Sequence, residues 1–580
     1  MQIKTTSYLS LAVFLYLFFI FDPQFHGPDE PIYYAYTASI IEDGDLNAVN
    51  HLDEKYPYYL SAGDIGISKM YNLPDFHDHG GVVLWAPFYL YGKLAYFMMT
   101  KISLSGGAYF TFEVLTKCAM SFSTITFAFL TILLTYLLCK AFFSEREAIL
   151  STLLVFFGTP FFYYVLFEPG NANIVAALFS IVFVWFCIYA ISIKKSQWLC
   201  LGLFFSVSMV VKVDLWFQIF FIIIYFLALL MLRQIRWVNG VYFLLGLLPA
   251  VALKMINEYL KYGTFHSGVL GLFNSDDSYL FEQLFSTYRG FFYTSPIYYV
   301  CIAGFIFAII RLMRNARLRS KESFLNLQNS KELLLIILSL HVFIKIIIIS
   351  NRYAWGGGTC GARPLITEFP IFVLLYARAL WGQRKNIKYC SYFISALFVF
   401  WNFLIIAEYM IGTDLEYAAT GAPSFMVRFK EIKNIFAYLF YFKDLGLKII
   451  LCLPLIPIIL SGAYYIVKGL INVNPSLLLI KARKQPLRFK TFFLLTVYLY
   501  IAYTGITLLN VCNNQKNVEI LKTKLFFKDA KIIGPYKFEK EENIGSMDEM
   551  IEYFSRIGDF ERAKKIEKNK IRYMQRIYKK

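Results

Sequence analysis

The sequence predicts an all-α protein that crosses a membrane many times. Of its 580 residues, 58% are hydrophobic and 19% are aromatic, and the mean hydropathy is +0.53. Such a composition is too apolar for a soluble protein of this size. Apolar runs of roughly 17–25 residues recur along most of the chain, and each is long enough to cross a bilayer as a helix. We therefore expect a polytopic helical bundle embedded in a lipid bilayer.

Basic residues cluster in alternate short loops between these runs, and the positive-inside rule makes those loops cytoplasmic. The first run, Tyr8–Phe21, is short and lacks an Ala-x-Ala site, so we interpret it as an uncleaved anchor. The run 82–100 contains Pro87 and Lys93, and one crossing there would place every later basic cluster outside. We expect it to lie at the outer interface or to re-enter. The prediction is about thirteen transmembrane helices, with the N-terminus inside and the C-terminus outside.

The charge and the cysteines exclude other classes of protein. The formal net charge is +18, but much of it lies in the short loops that report membrane orientation, so we expect no nucleic-acid partner. The nine cysteines are scattered without a CxxC pair, and most lie inside apolar runs. They indicate small core residues, neither a disulfide framework nor a metal cage.

Two domains are expected. Residues 1–510 form the transmembrane domain, whose first outer loop, 22–115, carries juxtamembrane helices. Near residue 511 the composition becomes polar and charged, and the chain ends in "DFERAKKIEKNKIRYMQRIYKK", which is typical of an exposed helix. We interpret 511–580 as a small soluble domain on the outer side.

The stretch "HGPDEPIYYAYTASIIEDGDL" follows the first anchor and carries two adjacent acids. Pro31 suits the first turn of a helix, which is predicted to run to Asp43 and to end at Gly44. Asp29 and Glu30 then lie at the positive end of the helix dipole, where the ionised form is favoured. The alternative is a helix cap followed by a solvated acidic loop.

Single cations occur in aromatic or glycine-rich settings in other outer loops. They are Arg289 in "TYRGFFYTSP", Arg352 and Arg363 in "NRYAWGGGTCGARP", and Lys212 in "VVKVD". Ionisable groups at membrane level are costly and often mark a substrate path. A carboxylate that faces several cations on the outer side suggests a site for a phosphorylated lipid and for a nucleophile that loses a proton.

In the order of these motifs the sequence resembles a bacterial member of the GT-C superfamily, the polytopic glycosyltransferases that use polyprenyl-phosphate sugars. It includes protein O-mannosyltransferases and the lipid A aminoarabinose transferase. The resemblance covers about residues 1–410, through "GPDEPIYYAYTASIIEDGDL", "HDHGGVVLWAPFYLYG", "FFGTPFFYYVLFEPGNANIVAALF", "MVVKVDLWF", "YRGFFYTSP" and "WGGGTCGARPLITEFP". The chain departs from its relatives at 359–363, where they commonly read Ser-Phe-Gly-Pro-Arg, and at Lys212, where an arginine is expected.

The resemblance implies a GT-C-like bundle and a role for each candidate residue. Asp29 is the expected base, with Glu30 and Glu168 orienting the acceptor or the sugar. Arg289 and Arg363 are expected to hold the donor phosphate, and the remaining two substrate-binding candidates are Lys212, a weaker third cation, and His79.

Each of these assignments has a structural alternative. Glu168 would simply begin the next helix, Arg289 would pair with Glu282 or reach lipid headgroups, and Arg363 would be an ordinary interfacial cation. His79 and His77 would bind a divalent ion with Asp75 or Asp78 only if a third ligand joined them. We expect no cofactor.

The function that these roles imply is transfer of a sugar from a polyprenyl-phosphate donor to a lipid, glycan or protein acceptor. Inversion by a single displacement, at the outer face of a bacterial cytoplasmic membrane, would follow. The alternative is a transporter or flippase for lipid-linked saccharides, which would share the many spans. Against it, the sequence shows no matching half-repeats, and its ionisable residues concentrate in the outer loops. A catalytically inactive scaffold is the third interpretation.

Overall fold

A computed structural model describes most of the membrane domain. The described residues are 2–23, 25, 29–44, 51, 67–68, 73–74, 79–101, 110–190, 195–231, 233, 235–262, 278–286, 289–318, 331–351, 360–410, 444–471 and 496–508. The C-terminal segment 511–580 lies outside them, as do His77, Arg352 and most of the first loop. The predicted domain boundary near residue 511 therefore remains a prediction.

The described chain is helical, which confirms the predicted fold class. Its one β element is the antiparallel pair Ile67–Ser68 with Leu73–Pro74. The helices in the first half are α1 Gln2–Ile20, α2 Glu30–Ala38, α3 Val82–Lys101, α4 Phe112–Phe142, α5 Glu145–Phe157, α6 Phe161–Leu166, α7 Ala172–Ala190, α8 Lys195–Val211, α9 Gln218–Met231 and α10 Trp237–Tyr262.

The second half continues in the same way. Its helices are α11 Leu280–Phe285, α12 Phe291–Thr294, α13 Tyr298–Leu318, α14 Lys331–Ser350, α15 Phe369–Leu380, α16 Lys385–Met410, α17 Leu445–Cys452, α18 Ile456–Ile471 and α19 Thr496–Leu508. Short 3₁₀ helices occupy His79–Gly81, Val213–Phe217 and Arg363–Glu368. We refer to the last as the 363–368 helix.

Seven apolar segments in the described part are long enough to cross a membrane: Val82–Lys101, Phe112–Phe142, Asp214–Met231, Trp237–Ile256, Glu332–Ser350, Lys385–Ala407 and Leu445–Tyr465. Four shorter apolar helices accompany them. The protein is thus a multi-pass membrane protein, while the total of about thirteen spans remains a prediction. The first of the seven is the run that we expect at the outer interface, and its length and composition also suit a crossing, so its placement is a prediction too.

Helix α4 is the centre of the bundle. In its most apolar 18-residue stretch 94% is buried, against 18% in the corresponding stretch of α10. Helix α4 packs against α1, α3, α5 and α7. Helix α3 approaches it closely at Gly92, where a Cβ atom would lie 2.8 Å from the Cα of Thr116. The side chain of Thr111 accepts a hydrogen bond from the N–H of Val114 and caps α4.

The chain divides into two compact units. The first comprises 1–34, 78–252 and 275–503, and the second comprises 35–77, 253–274 and 504–580. All the candidate site residues of the sequence belong to the first unit. Within it the 363–368 helix packs against α7, α14 and α15. That short helix connects the glycine-rich loop to a fully buried helix, α15, and so fixes where the loop ends.

Candidate active site

The acidic pair stands at the start of α2, as predicted. The helix begins at Glu30, and the carbonyl oxygen of Asp29 accepts a hydrogen bond from the N–H of Tyr33 at 3.2 Å. The helical run continues as a π-helix to Asp43 and ends at Gly44, whose φ of +71° is the left-handed value that favours glycine. The predicted bounds of this helix are therefore confirmed.

Glu30 joins two loops that are far apart in the sequence. Its side chain is fully buried, and Oε1 accepts a hydrogen bond of 2.6 Å from the N–H of Gly170. A Cβ atom at position 170 would lie 2.9 Å from the Cβ of Glu30, so a side chain there would separate the loops. This contact joins the start of α2 to the loop between α6 and α7, whereas a direct role of Glu30 toward a substrate remains a prediction.

Asp29 meets the arginine of the glycine-rich loop. Arg363 Nη1 donates a hydrogen bond of 2.6 Å to Asp29 Oδ2 across 334 positions of sequence. The two side chains are 26% and 14% exposed, so solvent-borne groups can reach both. Burial opposes the charge of Arg363, but the carboxylate of Asp29 together with Tyr164, Glu168 and Tyr33 raises the pKa of the guanidinium, which stays ionised.

The loop before Arg363 is held by small residues and one tyrosine. Gly361 has φ +61°, and a Cβ atom there would lie 2.6 Å from Pro160 Cγ. The N–H of Cys360 donates a 3.0 Å hydrogen bond to the hydroxyl of Tyr164 on α6. Tyr164 is fully buried, so it anchors the loop from which Arg363 projects.

Glu168 lies beside Asp29 in the loop between α6 and α7. Its Oε1 accepts a hydrogen bond from the hydroxyl of Tyr163 at 3.0 Å, and its Oε2 accepts one from Asn171 Nδ2 at 3.4 Å. Burial raises the pKa of Glu168 to about 7. The positive charge of Arg363 lowers this pKa, and the negative charge of Asp29 raises it by a smaller amount than burial does. This carboxyl group therefore changes charge near neutral pH.

Asn171 connects Glu168 with both the helix and Asp29. Its Nδ2 lies 3.5 Å from Asp29 Oδ2, and its Oδ1 accepts the N–H of Asn173 at 3.0 Å. Asn171, not Glu168, thus caps the start of α7, and the alternative in which Glu168 merely begins that helix is wrong. Sequence reasoning missed this residue, although "NAN" ahead of an apolar run is a capping signal.

Lys212 reaches the same network from the end of α8. Its Nζ donates a 2.5 Å hydrogen bond to Asn173 Oδ1 and lies 3.5 Å from Asp214 Oδ2. Burial lowers the pKa of Lys212. The carboxylate of Asp214 raises this pKa, and the positive charge of Arg363 lowers it further. Asn173 also donates from Nδ2 to Asn171 Oδ1, so hydrogen bonds link Lys212 to Asp29 through two asparagines.

The two remaining candidates lie on elements next to this cluster. Arg289 is buried, 4% exposed, in the turn before α12. A Cβ atom at Gly361 would lie 3.4 Å from Thr294 Oγ1, so α12 borders the loop of Arg363. His79 opens the 3₁₀ helix His79–Gly81, which packs against the end of α8 shortly before Lys212. The His79 side chain lies outside the described ones, and both roles remain predictions.

The cluster combines a carboxylate that can act as a base with cations that can bind an anion. Asp29 is an accessible carboxylate, and Arg363 and Lys212 are cations within its hydrogen-bond network. Among the described residues no three His, Cys, Asp or Glu side chains are grouped as a metal site would require. His77, Asp75 and Asp78 lie outside that part of the chain.

Comparison with known proteins agrees with this chemistry. A family model described as dolichyl-phosphate-mannose-protein mannosyltransferase matches residues 110–256, a segment that includes Glu168 and Lys212. The resemblance to GT-C membrane glycosyltransferases is confirmed. The match supports a glycosyltransferase in general. No curated protein and no solved structure matches the chain significantly.

Proposed function

We propose that this chain transfers a sugar from a polyprenyl-phosphate donor to an envelope acceptor, a lipid, glycan or protein, by inverting single displacement. The reaction takes place at the outer face of the cytoplasmic membrane. The observation that carries the proposal is the 2.6 Å contact between Asp29, which follows the first anchor, and Arg363, which ends a loop 334 positions later. A base and a phosphate-binding cation are thereby neighbours, and both are reachable from solvent.

Two groups are a sufficient minimum for this reaction. A polyprenyl phosphate is a good leaving group and needs no general acid, whereas the acceptor hydroxyl needs a base to take its proton. In the proposed step the acceptor oxygen bonds to the anomeric carbon, the bond from that carbon to the phosphate oxygen breaks, and the acceptor proton passes to Asp29. Arg363 stabilises the negative charge that grows on the departing phosphate.

Because Asp29 is paired with Arg363, binding of the donor also changes the surroundings of Asp29. A donor phosphate that binds Arg363 competes with the Asp29 carboxylate for the same guanidinium, because arginine binds phosphate through two parallel hydrogen bonds. Once Arg363 faces the phosphate, Asp29 loses its closest cation and becomes a stronger base. The donor thus prepares the base, and the acceptor is activated only when a donor is present.

The neighbouring residues have supporting roles. Glu168 and Asn171 form the polar wall beside Asp29, where sugar hydroxyls are expected to bind. Lys212 adds a second positive charge, without the planar fork of an arginine. Arg289 and His79, on the bordering elements, complete the substrate-binding set. The outer-face placement follows from basic residues in the alternate, cytoplasmic loops.

The test is mass spectrometry of envelope glycolipids and glycoproteins from a deletion strain, complemented with the wild-type gene or with Asp29→Asn. We expect a single-sugar mass difference to disappear on deletion and to return with the wild type alone. The molecule that changes mass identifies the acceptor. Full rescue by Asp29→Asn would refute the assignment of the base, and accumulation of a lipid-linked saccharide on the inner face in the deletion strain would favour a flippase.

A further inference from the structure

A second carboxylate–cation cluster lies inside the bundle, at the opposite end of the 363–368 helix from Arg363. Lys345 on α14 donates from Nζ to Glu368 Oε1 at 2.8 Å and to Thr367 Oγ1 at 2.5 Å. Thr367 Oγ1 in turn donates to Glu368 Oε1 at 2.9 Å, and His341 Nε2 lies 3.3 Å from Glu368 Oε2. The Lys345 and Glu368 side chains are 0% and 1% exposed. We call this group the buried ion cluster.

Such a cluster is a poor means of stabilising a fold. Removing two charges from water costs several kcal/mol per ion, and well-packed apolar residues of similar volume often serve a protein equally well or better. The attraction between Lys345 and Glu368 is nevertheless strongly directional, because no water competes for either group. The cluster therefore fixes the geometry of what it joins, namely α14 and the end of the 363–368 helix.

That geometry is transmitted directly to Arg363. At a rise of about 2.0 Å per residue, the two ends of this short helix lie about 10 Å apart. Between them, Leu365 and Ile366 are buried, and Pro364 restricts the backbone. On the other side of Arg363, Gly361 turns the chain in the left-handed region, and the hydrogen bond from Cys360 to Tyr164 holds that loop. The buried ion cluster is thus the polar anchor on the C-terminal side of Arg363.

We propose that Lys345 and Glu368 are positioning residues, which hold the guanidinium of Arg363 at Asp29 and in the place where it receives the donor phosphate. Neither of them touches the substrate. The holding of Arg363 stands on the geometry alone, whereas its consequence for the donor rests on the proposed function. Sequence patterns hide this cluster, because Lys345 and His341 lie within the apolar run "LLLIILSLHVFIKIIII".

A second buried pair, which joins α14 to α15, offers a matched control. Arg378 on α15 donates from Nε to Glu332 Oε2 on α14 at 2.8 Å, and both side chains are 4% exposed. This pair lies at the opposite end of α14 from Lys345. The test variant is Lys345→Met with Glu368→Leu, and the control is Arg378→Met with Glu332→Leu. Each double change replaces a buried pair by apolar side chains of similar volume, so that both variants are expected to fold.

The first readout needs no enzymatic activity. Purified full-length protein is treated with phenylglyoxal, which modifies arginine, and the rate of labelling of Arg363 is followed by peptide mass spectrometry. We expect several-fold faster labelling of Arg363 in the test variant, because its guanidinium no longer stays against Asp29. The control variant should label Arg363 at the wild-type rate. Equal labelling rates in both variants would overturn the proposal.

The second readout is the kinetics of sugar transfer. We expect the test variant to raise KM for the donor about tenfold or more, since a misplacement of about 1 Å is enough for such a loss. Its KM for the acceptor and its melting temperature should resemble those of the control. The single variant Lys345→Arg, which keeps the charge and Glu368, should have a donor KM between those of the wild type and the test variant. A donor KM that is unchanged, or raised as much in the control, would contradict a positioning role. If the wild type transfers no sugar, the proposed function fails, and the labelling comparison still decides whether the cluster holds Arg363.

Discussion

The two ends of the 363–368 helix carry the same kind of contact in different surroundings. At the first end Arg363 meets Asp29 at 2.6 Å, with side chains 26% and 14% exposed. At the other end Lys345 meets Glu368 at 2.8 Å, with side chains 0% and 1% exposed. The accessible pair is open to the phosphate and the acceptor of the proposed reaction, whereas the polar groups around the buried pair, Thr367 and His341, belong to the protein itself. The Asp29–Arg363 contact is suited to take part in a reaction, and the Lys345–Glu368 contact is suited to hold Arg363 in position.

The difference shows why distance alone is a poor guide to the role of an ion pair. A solvent-exposed pair contributes about 1 kcal/mol or less to stability, because water competes for both charges, and the partly exposed Asp29–Arg363 pair lies between that case and a buried pair. Breaking a buried pair leaves an uncompensated charge in an apolar interior, which costs about 3–5 kcal/mol. Variants at the two ends should therefore differ in their effects: a change at Asp29 affects turnover, loss of Lys345 alone affects folding, and joint loss of Lys345 and Glu368 affects the placing of Arg363.

The largest expected effect is that of Asp29→Asn on turnover. Loss of the base should lower kcat by a factor of about 10²–10⁴, with little change in melting temperature. Polyprenyl-phosphate binding should hold or tighten, because Arg363 no longer has a carboxylate competitor. The measurements are single-turnover transfer and a titration with polyprenyl phosphate. Glu42→Gln, an exposed acid in the same helical run, is the control and should leave both unchanged. Weaker binding of polyprenyl phosphate would mean that Asp29 organises Arg363 instead of competing for it.

Lys345→Met alone should produce the largest loss of stability. It leaves Glu368 charged and buried, so we expect a destabilisation of about 3–5 kcal/mol, read from denaturant or thermal unfolding in detergent. Adding Glu368→Leu should recover most of that loss, because the second charge is removed as well. If the single and double variants were equally unstable, packing of the lysine stem would matter more than its charge.

A smaller effect is expected from Arg363→Lys. The charge stays, but the planar fork that binds phosphate through two hydrogen bonds is lost. We expect KM for the donor to rise about tenfold, with a smaller change in kcat and no change in KM for the acceptor. Arg363→Met should go further in the same direction. A KM for the acceptor that rises instead would place Arg363 on the acceptor side.

The smallest expected effect is a pH dependence of stability from Glu168. Its pKa of about 7 in the folded protein lies above the ordinary value of 4.5, so the folded state holds this proton more tightly than the unfolded chain does. The stabilisation is fully present below about pH 4.5 and is lost as pH rises to about 7. Melting temperatures at about pH 5 and pH 8 should differ less in Glu168→Gln than in the wild type. An equal pH dependence in both would assign it to other groups.

Much of the fold followed from local patterns. Long apolar runs predicted a helical membrane protein, because a bilayer leaves backbone groups no partner outside a helix or a closed barrel. Pro31 and Gly44 predicted both ends of the α2 helical run, since their backbone preferences hold in any surroundings. The helix of the first loop and the carboxylate at its start needed no tertiary information.

The partners of the candidate residues did not follow from local patterns. No residue near Asp29 in the sequence indicates that Arg363 is its partner, and none near Glu30 indicates Gly170. Each contact joins loops at the ends of different helices. Asn171 and Asn173 were overlooked although they carry a local capping signal, because that signal does not indicate a place in the site. Their importance comes from lying between Lys212 and Asp29, which only the packing of α7 against the end of α8 brings about.

The buried ion cluster shows most clearly what the sequence patterns did not predict. One lysine and one histidine within a hydrophobic run changed its apolar character too little to predict anything except a span. Their meaning depends on Glu368, which reaches them from the 363–368 helix. The sequence by itself determined the class of protein, the helix of the first loop and the kinds of residue available for chemistry. The tertiary structure decided which charges meet and which are shielded from water, because both depend on how separate helices pack.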